Sequence, residues 1–150
     1  MPRINYHYLT ATKTSLSFSF TEGFTLQFEE LRRIPKDAFF SDLHKISSAK
    51  YNFIVAIEGA VDLCNHVIAK NAFRTPEDYA DTFKVMQERG AFDPVFTENL
   101  VRMACFRNRL VHIYWEVDND ELYNILQSRI EDIRQFLKKF GAFIGTSGKP

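Results

Sequence analysis

Apolar side chains recur every three to four residues along most of the chain, the spacing of one face of an α-helix. The pattern begins at Phe24. It predicts a first helix over residues 24–34, ended by Pro35, and long helices that begin near Ser41, Thr75, Pro94 and Asn119. The sequence therefore predicts an all-α protein, built as an antiparallel bundle of four to five helices.

Capping residues mark two of these helices. Thr75 is predicted as the N-cap of one helix, with Pro76 at its first position and Gly90 after its end. Asp93 followed by Pro94 repeats the start signal for the next. Polar caps, an N-terminal proline and a C-terminal glycine each satisfy or tolerate the backbone groups that a helix end leaves unpaired. These boundaries are predicted from local chemistry alone.

The last helix and the chain ends complete the domain organisation. Asp118 with Glu121 three residues later resembles a capping box, and Gly141 is expected to close the helix. Residues 1–23 are predicted to be irregular, since the alternating run "SLSFSF" has no second strand to pair with. Residues 24–143 form the predicted bundle domain, and residues 144–150 a flexible tail.

Composition places the chain among soluble globular domains. It is 45% hydrophobic and 25% charged, and its 19 basic residues balance 19 acidic ones, so any nucleic-acid site must be local. Cys64 and Cys105 both lie in apolar segments and are predicted to be buried free thiols in a reducing compartment. No apolar run reaches eighteen residues, no leader opens the chain, and no metal-ligand spacing is visible. We expect a cytoplasmic protein with no membrane contact, no metal and no cofactor.

The second long helix carries acids on an otherwise apolar surface. Its segment "YNFIVAIEGAVDLCNHVIAK" is apolar around most of its circumference. At about 100° per residue, Glu58, Asp62 and Asn65 share one narrow stripe with Tyr51 and Ala69. Acids on a packed helix need partners.

The helix that begins at Pro94 has an arginine where its pattern calls for leucine. Its packing positions alternate by four and three residues: Phe96, Leu100, Met103, Arg107, Leu110 and Tyr114. One interpretation is that Arg107 extends to solvent or pairs with a core carboxylate, for which Glu58 and Asp62 are the candidates. The other is that this face lines a cleft or meets a symmetric partner, where a guanidinium can bind an anion.

His112 follows Arg107 by five residues and points about 140° away on a continuous helix. The two side chains converge only if the helix breaks or if a second subunit supplies its own copies across a two-fold axis. Asn108 and His112 share a face at i and i+4, and Arg109 lies nearby.

These residue types suit metal-free cleavage of RNA. A 2′-hydroxyl must lose a proton to attack the neighbouring phosphate, and a histidine titrating near neutrality can take it. A guanidinium, always charged, can hold the phosphoryl oxygens as negative charge develops on them. No phosphate-binding glycine loop or serine or cysteine nucleophile motif offers an alternative chemistry.

The segment "RNRLVHIY", Arg107 to Tyr114, resembles the Arg-x4-His-x-Tyr motif of HEPN domains, specifically of the HepT-like ribonuclease toxins. Upstream, "NFIVAIEGAVDLCNHVIA" is similar to the long second helix of that family, with Glu58, Asp62, Asn65 and His66 at matching places. The resemblance covers about residues 40–143. The first 23 residues depart from it.

The resemblance implies an all-helical homodimer that acts as a metal-independent endoribonuclease, with its active site at the subunit interface. Arg107, Asn108 and His112 would be the catalytic residues, with Arg109, Glu58 and Asp62 in supporting places. It also implies a partner, a minimal nucleotidyltransferase antitoxin that attaches AMP to the motif tyrosine, here Tyr114. AMP there would add bulk and negative charge beside the arginine. Read from the pattern alone, Tyr114 is equally a packing residue.

Two other interpretations stay open. The chain could be a non-catalytic helical dimer that keeps the motif but only binds nucleotide or a nucleotidyltransferase partner. It could also be a purely structural dimer, although that leaves the placement of Arg107 without a reason. The RNA substrate, its cleavage position, assembly beyond a dimer and the role of residues 1–23 are open from sequence.

Overall fold

The computed structural model describes residues 23–146, and every regular element in that range is helical. The first helix, α1, covers residues 23–32 of the described chain. The others are α2 (Lys36–Phe40), α3 (Leu43–Lys70), α4 (Tyr79–Glu88), α5 (Pro94–His112), α6 (Asn119–Ser128) and α7 (Ile130–Thr146), with a 3₁₀ turn at Tyr114–Glu116 after α5. The prediction of an all-α bundle is confirmed. The predicted irregular segment lies almost wholly outside the described residues.

The long helix α3 is the centre of the bundle. Its N-cap, Asp42, accepts hydrogen bonds from the backbone N–H groups of His44 and Lys45. By length and composition α3 could cross a membrane, but 56% of its most apolar window is buried inside the bundle. Burial of this kind is that of a core helix, since its apolar side chains already pack against other helices.

The core divides into two apolar clusters along α3. The second half of α3 packs with α4, the first half of α5 and most of α7. The first half of α3 packs with α1, α2, the second half of α5 and α6. Met103 of α5 packs against both clusters. Helix α5 therefore runs antiparallel to α3, and the middle of each helix lies at the level where the two clusters meet.

Helix α4 begins later than predicted. Its N-cap is Asp78, whose carboxylate accepts the backbone N–H of Asp81 at 2.7 Å, so Thr75 and Pro76 precede the helix. An ion pair joins the residues on either side of this N-cap. Arg74 donates to Asp81 from both Nη atoms, at 2.7 and 2.8 Å, and Asp81 also accepts the backbone N–H of Glu77. These bonds bridge the non-helical segment from Arg74 to Asp78 and the first turn of α4.

The predicted C-terminal stop of α4 is confirmed. Gly90 adopts φ of +84° after the last helical turn, a conformation that costs glycine little. Its N–H donates to the carbonyl of Gln87, and the N–H of Ala91 donates to that of Met86. This is the Schellman arrangement, which satisfies the last carbonyls of a helix.

The last predicted helix is two helices. Ser128 donates its hydroxyl to the carbonyl of Asn124 at 2.7 Å, and the helix ends at the next residue before α7 begins. A serine that bonds back to the preceding turn competes with the backbone ladder and bends the helix. The predicted stop at Gly141 is wrong, because α7 continues to Thr146. Phe143 and Ile144 pack against the core beyond the glycine, which offsets its cost of about 1 kcal/mol in a helix.

One of the two cysteine predictions is also wrong. Cys64 is a buried free thiol, and burial raises the pKa of its thiol. Cys105 is free but exposed. Its neighbours Ala104 and Phe106 are both buried by α5, so Cys105 between them lies on the outer side of the helix.

Candidate functional site

The arginine that interrupts the apolar pattern of α5 is paired with a carboxylate of α3. Arg107 donates through Nε to Oε1 of Glu58 at 3.1 Å, and its Nη2 donates to the same oxygen. The Arg107 side chain is only 14% exposed, against 37% for Glu58. The antiparallel packing of α3 and α5 brings these residues together where the two core clusters meet. The carboxylate satisfies a mostly desolvated cation that would otherwise be costly.

Two further groups hold the guanidinium. Its carbon lies 4.7 Å from the centroid of the Tyr79 ring, at the start of α4, within the range of a cation–π contact. Its Nη1 donates to Oδ1 of Asn108 at 3.1 Å. Arg107 is thus fixed by α3, by α4 and by its own helix. Asn108 itself is exposed, so this side of the site faces solvent.

His112 is not brought to Arg107 within one chain. Helix α5 is continuous from Pro94 to His112, so the two side chains remain about 140° apart around it and about 7.5 Å apart along it. His112 is exposed in the last turn of α5.

Of the two acids proposed as partners of Arg107, the structure selects Glu58. Asp62 lies one turn further along α3 and is exposed. Partial desolvation of the Asp62 carboxylate raises its pKa above the ordinary value, and the nearby charge of Glu58 raises this pKa further. The acidic stripe of α3 therefore contains one ion-paired carboxylate and one that gains a proton more readily.

Arg109 lies on another side of α5. Its Nη2 donates to Oε2 of Glu121 in α6 at 2.9 Å, and its Nη1 donates to the other carboxylate oxygen. These bonds raise the pKa of Arg109. The pair lines a cavity of about 330 Å³ between α5 and α6, which also contains Cys105. The Glu121 carboxylate thus binds Arg109. Its backbone N–H donates to the carboxylate of Asp118, the predicted N-cap of α6.

Tyr114 does not continue the packing face of α5, contrary to the pattern. The helix ends at His112, and Tyr114 begins the 3₁₀ turn with 43% of its surface exposed. Lys50 of α3 lies under its ring, with Nζ 3.8 Å from the centroid, and donates to the Tyr114 carbonyl at 3.5 Å. The tyrosine is therefore held by one face while much of it stays accessible to solvent.

Sequence reasoning missed two residues of this region, Lys50 and Tyr79. Lys50 is only 6% exposed, although lysine is rarely buried. In the sequence, the position of Lys50 directly before the apolar run of α3 indicated that it could be buried. For Tyr79 the sequence showed only an aromatic residue at the start of a helix. Within residues 23–146, no group of three or more His, Cys, Asp or Glu side chains is placed to hold a metal ion.

A helical bundle that holds a largely buried arginine five residues before an exposed histidine at a helix end defines a recognisable class of protein. The chain belongs to the ribonuclease HepT-like family, whose family model matches residues 22–140. The fold is that of the HEPN helical toxins.

The chain is also similar to individual proteins of known sequence or structure. The chain is 26% identical over 99 residues to the mRNA nuclease HepT of Shewanella oneidensis, covering 66% of this chain and 74% of the relative. Its fold is similar to that of the tri-AMPylated HEPN toxin of Shewanella oneidensis, solved in complex with an MNT antitoxin, with a TM-score of 0.79 at 21% identity over 86% of this chain and 96% of that one. It is also similar to YutE of Bacillus subtilis, a cytosolic protein of unknown function, with a TM-score of 0.81 at 18% identity over 100% and 97% of the two chains.

Proposed function

We propose that this protein is a metal-independent endoribonuclease, the toxin of a toxin–antitoxin pair. The observation that carries the proposal is the fixation of Arg107 by Glu58 and Tyr79. A guanidinium held in one orientation can meet the phosphoryl oxygens of RNA without reorganising, which is where electrostatic catalysis gains most. Membership of the ribonuclease HepT-like family, and a relative named as an mRNA nuclease, support the same reaction.

In the proposed reaction, His112 takes the proton of the 2′-hydroxyl. The oxygen attacks the adjacent phosphorus, the 5′-oxygen leaves with a proton from solvent or from a second histidine, and a 2′,3′-cyclic phosphate remains. Arg107 holds the charge that builds on the phosphoryl oxygens. Asn108 orients the guanidinium through its Oδ1, and its amide can donate to the RNA.

The site is proposed to form between two copies of the chain. Arg107 and His112 of one chain lie on different sides of α5, so a two-fold partner is the simplest way to place both at one phosphate. Apolar side chains next to His112 support this arrangement. Val111 is 42% exposed and Trp115 78% exposed, at the end of α5 that carries the motif. Exposed apolar groups of this kind mark interfaces.

Control by a nucleotidyltransferase antitoxin is proposed to act at Tyr114. The structurally similar Shewanella toxin is described as AMPylated and bound to its MNT antitoxin. In this chain the exposed Tyr114, supported by Lys50, offers a hydroxyl that an enzyme can reach. The Lys50 ammonium would also lie close to the phosphate of an attached AMP. We propose that the protein acts in the cytosol, where both RNA and such a partner are found.

The test is cleavage of cellular RNA by the purified protein in the presence of EDTA, with the 3′ ends of the products characterised. Fragments ending in 2′,3′-cyclic phosphate are expected. Intact RNA in the presence of folded, dimeric protein would favour the second interpretation, a non-catalytic HEPN dimer that binds nucleotide or its nucleotidyltransferase partner.

A further inference from the structure

A cleft lies next to the Tyr79 ring that contacts Arg107. It has a volume of about 600 Å³ and lies between the end of α3 and the start of α4. Tyr79 belongs to both places, because its ring contacts the Arg107 guanidinium and also lines the cleft. Only the Tyr79 ring therefore separates the cleft from the Arg107 guanidinium.

The α3 helix connects the two places as well. Glu58, which binds Arg107, and Asn65, which lines the cleft, lie seven residues apart on the same stripe of α3. This is two helical turns, or roughly 10 Å along the axis. A single nucleotide can bridge that distance with its phosphate at Arg107 and its base in the cleft.

The charge of the cleft suits a base and disfavours a phosphate. Among the described residues that line it, two are carboxylates, Glu77 and Asp78, and none is cationic. Arg74, which precedes the cleft in sequence, is engaged by both Asp81 and Glu88. A phosphate placed there would be repelled, whereas the amino group of a base would find acceptors.

Polar groups line the cleft beside its apolar surface. The Thr82 hydroxyl donates to the carbonyl of Asp78 at 3.0 Å and also lies 3.3 Å from Oδ1 of Asn65, so the Asn65 amide packs against Thr82 at the wall of the cleft. The backbone N–H of Glu77 donates to Asp81 at 2.9 Å, so the rim is anchored, while the Glu77 side chain is exposed. Tyr79 and Phe73 add aromatic surface to the lining. Proteins bind an unstacked base with an aromatic wall and with polar donors and acceptors beside it.

We propose that this cleft binds the nucleobase next to the cleaved phosphate and selects bases that carry an exocyclic amino group over uracil. The inference rests on the proposed ribonuclease function. Glu77 accepts from the amino group of cytosine, adenine or guanine, and Asn65 donates to a ring nitrogen or carbonyl beside it. Uracil has no exocyclic amino group, and it offers a carboxylate only its ring N3–H, which lies between two carbonyl oxygens that the Glu77 charge repels. Asn65 and Glu77 are thus specificity-determining residues.

The experiment uses short RNA oligonucleotides that differ only in the base beside the cleaved bond. The parent protein is expected to show a kcat/KM about tenfold or more higher for the preferred amino-bearing base than for uracil. Glu77→Gln keeps the shape of the side chain and replaces one acceptor oxygen by a donor. It should bring that ratio close to one, because kcat/KM should fall for the amino-bearing base and rise for uracil. Asn65→Leu should lower the same ratio. Glu98→Gln, an exposed acid on α5, serves as the matched control and should leave the ratio unchanged.

A second measurement separates this inference from the proposed function. The same oligonucleotides carrying a 2′-deoxy sugar at the cleaved position cannot be cut, and their affinity is measured by fluorescence anisotropy. A base preference in binding that Glu77→Gln removes supports the cleft even if the parent cuts no RNA, an outcome that would overturn only the proposed function. The proposed base selection by the cleft is overturned if kcat/KM and affinity are equal for all four bases. It is also overturned if a preference survives both Glu77→Gln and Asn65→Leu.

Discussion

Arg107 of α5 and Glu58 of α3, 49 residues apart in sequence, form an ion pair at the level where the two halves of the core meet. The pair converts an arginine at a packing position into an oriented cation at the edge of a cleft. Glu58→Gln keeps one acceptor oxygen but removes the charge. We expect it to lower the free energy of unfolding by about 1 kcal/mol, a modest amount since Glu58 is partly solvated. Urea denaturation measures this change in the free energy of unfolding. The activation free energy of RNA cleavage should rise by more than this amount, because the guanidinium loses its orientation.

Arg107→Lys keeps the charge but loses the planar fork that grips two oxygens. We expect RNA cleavage to fall at least about 10²-fold, the scale of losing one oriented donor to a developing charge. Arg102→Lys, at an exposed position on the same helix, is the control and should cut RNA like the parent. Full activity of Arg107→Lys would show that only charge is needed and that the fixed geometry has no catalytic part.

His112→Ala should lose cleavage by about 10²- to 10⁴-fold, the usual contribution of a general acid or base. Because His112 is exposed, its removal should leave the circular dichroism spectrum and the unfolding midpoint close to those of the parent. A His112→Ala protein that cuts RNA as fast as the parent would contradict the catalytic assignment and favour the binding-only interpretation.

Val111→Glu tests the proposed dimer. A charge on this exposed apolar position beside His112 should weaken self-association, and cleavage should fall with it because the proposed site needs residues from both chains. Val95→Glu is a close control, since Val95 lies on the same helix and is 74% exposed, but at its other end. Light scattering gives the mass of each variant. A dimer that persists in Val111→Glu, with full activity, would place the interface elsewhere.

Tyr114→Phe retains the ring above Lys50 and removes only the hydroxyl. The variant should fold and cut RNA like the parent but should gain no AMP from a nucleotidyltransferase antitoxin, and therefore should escape it. Intact-mass spectrometry after incubation with antitoxin and ATP measures the modification. AMP found on Tyr114→Phe protein would assign the modification to another residue.

Stability in acid should depend on Asp81. The Arg74 guanidinium, through its hydrogen bonds, lowers the pKa of Asp81 from 3.8 to about 2. The folded protein therefore binds fewer protons than the unfolded chain between these values, so this contribution is fully present above about pH 4 and is lost as the pH falls through about 2. Asp81→Asn should be less stable than the parent at pH 7, with the gap closing below pH 4. Denaturation midpoints that stay a constant distance apart from pH 2 to pH 7 would refute this origin.

The sequence by itself determined the helical class and much of the helix plan. Apolar spacing of three and four residues requires helices, and local caps fixed ends such as Asp93 and Gly90, because a cap acts on backbone groups a few residues away. The Arg107-to-Tyr114 motif also identified the family, since it is contiguous in the chain. Where the local signal conflicted with packing, it failed. Pro76 is a good first residue of a helix, yet Arg74 and Asp81 hold it outside. Gly141 is a good stop, yet Phe143 and Ile144 carry the helix past it.

Only the tertiary structure decided which partners the chemistry uses. Glu58 and Asp62 lie on the same stripe of α3, and the choice between them depended on the axial register of α3 against α5, which no local pattern contains. Tyr79 reaches Arg107 because α4 packs beside α5, and Lys50 reaches Tyr114 because α5 ends two residues earlier. Distances between elements depend on the packing of whole helix faces, in which many small contacts add up. A sequence names the groups that can react, and the fold sets the few ångströms between them.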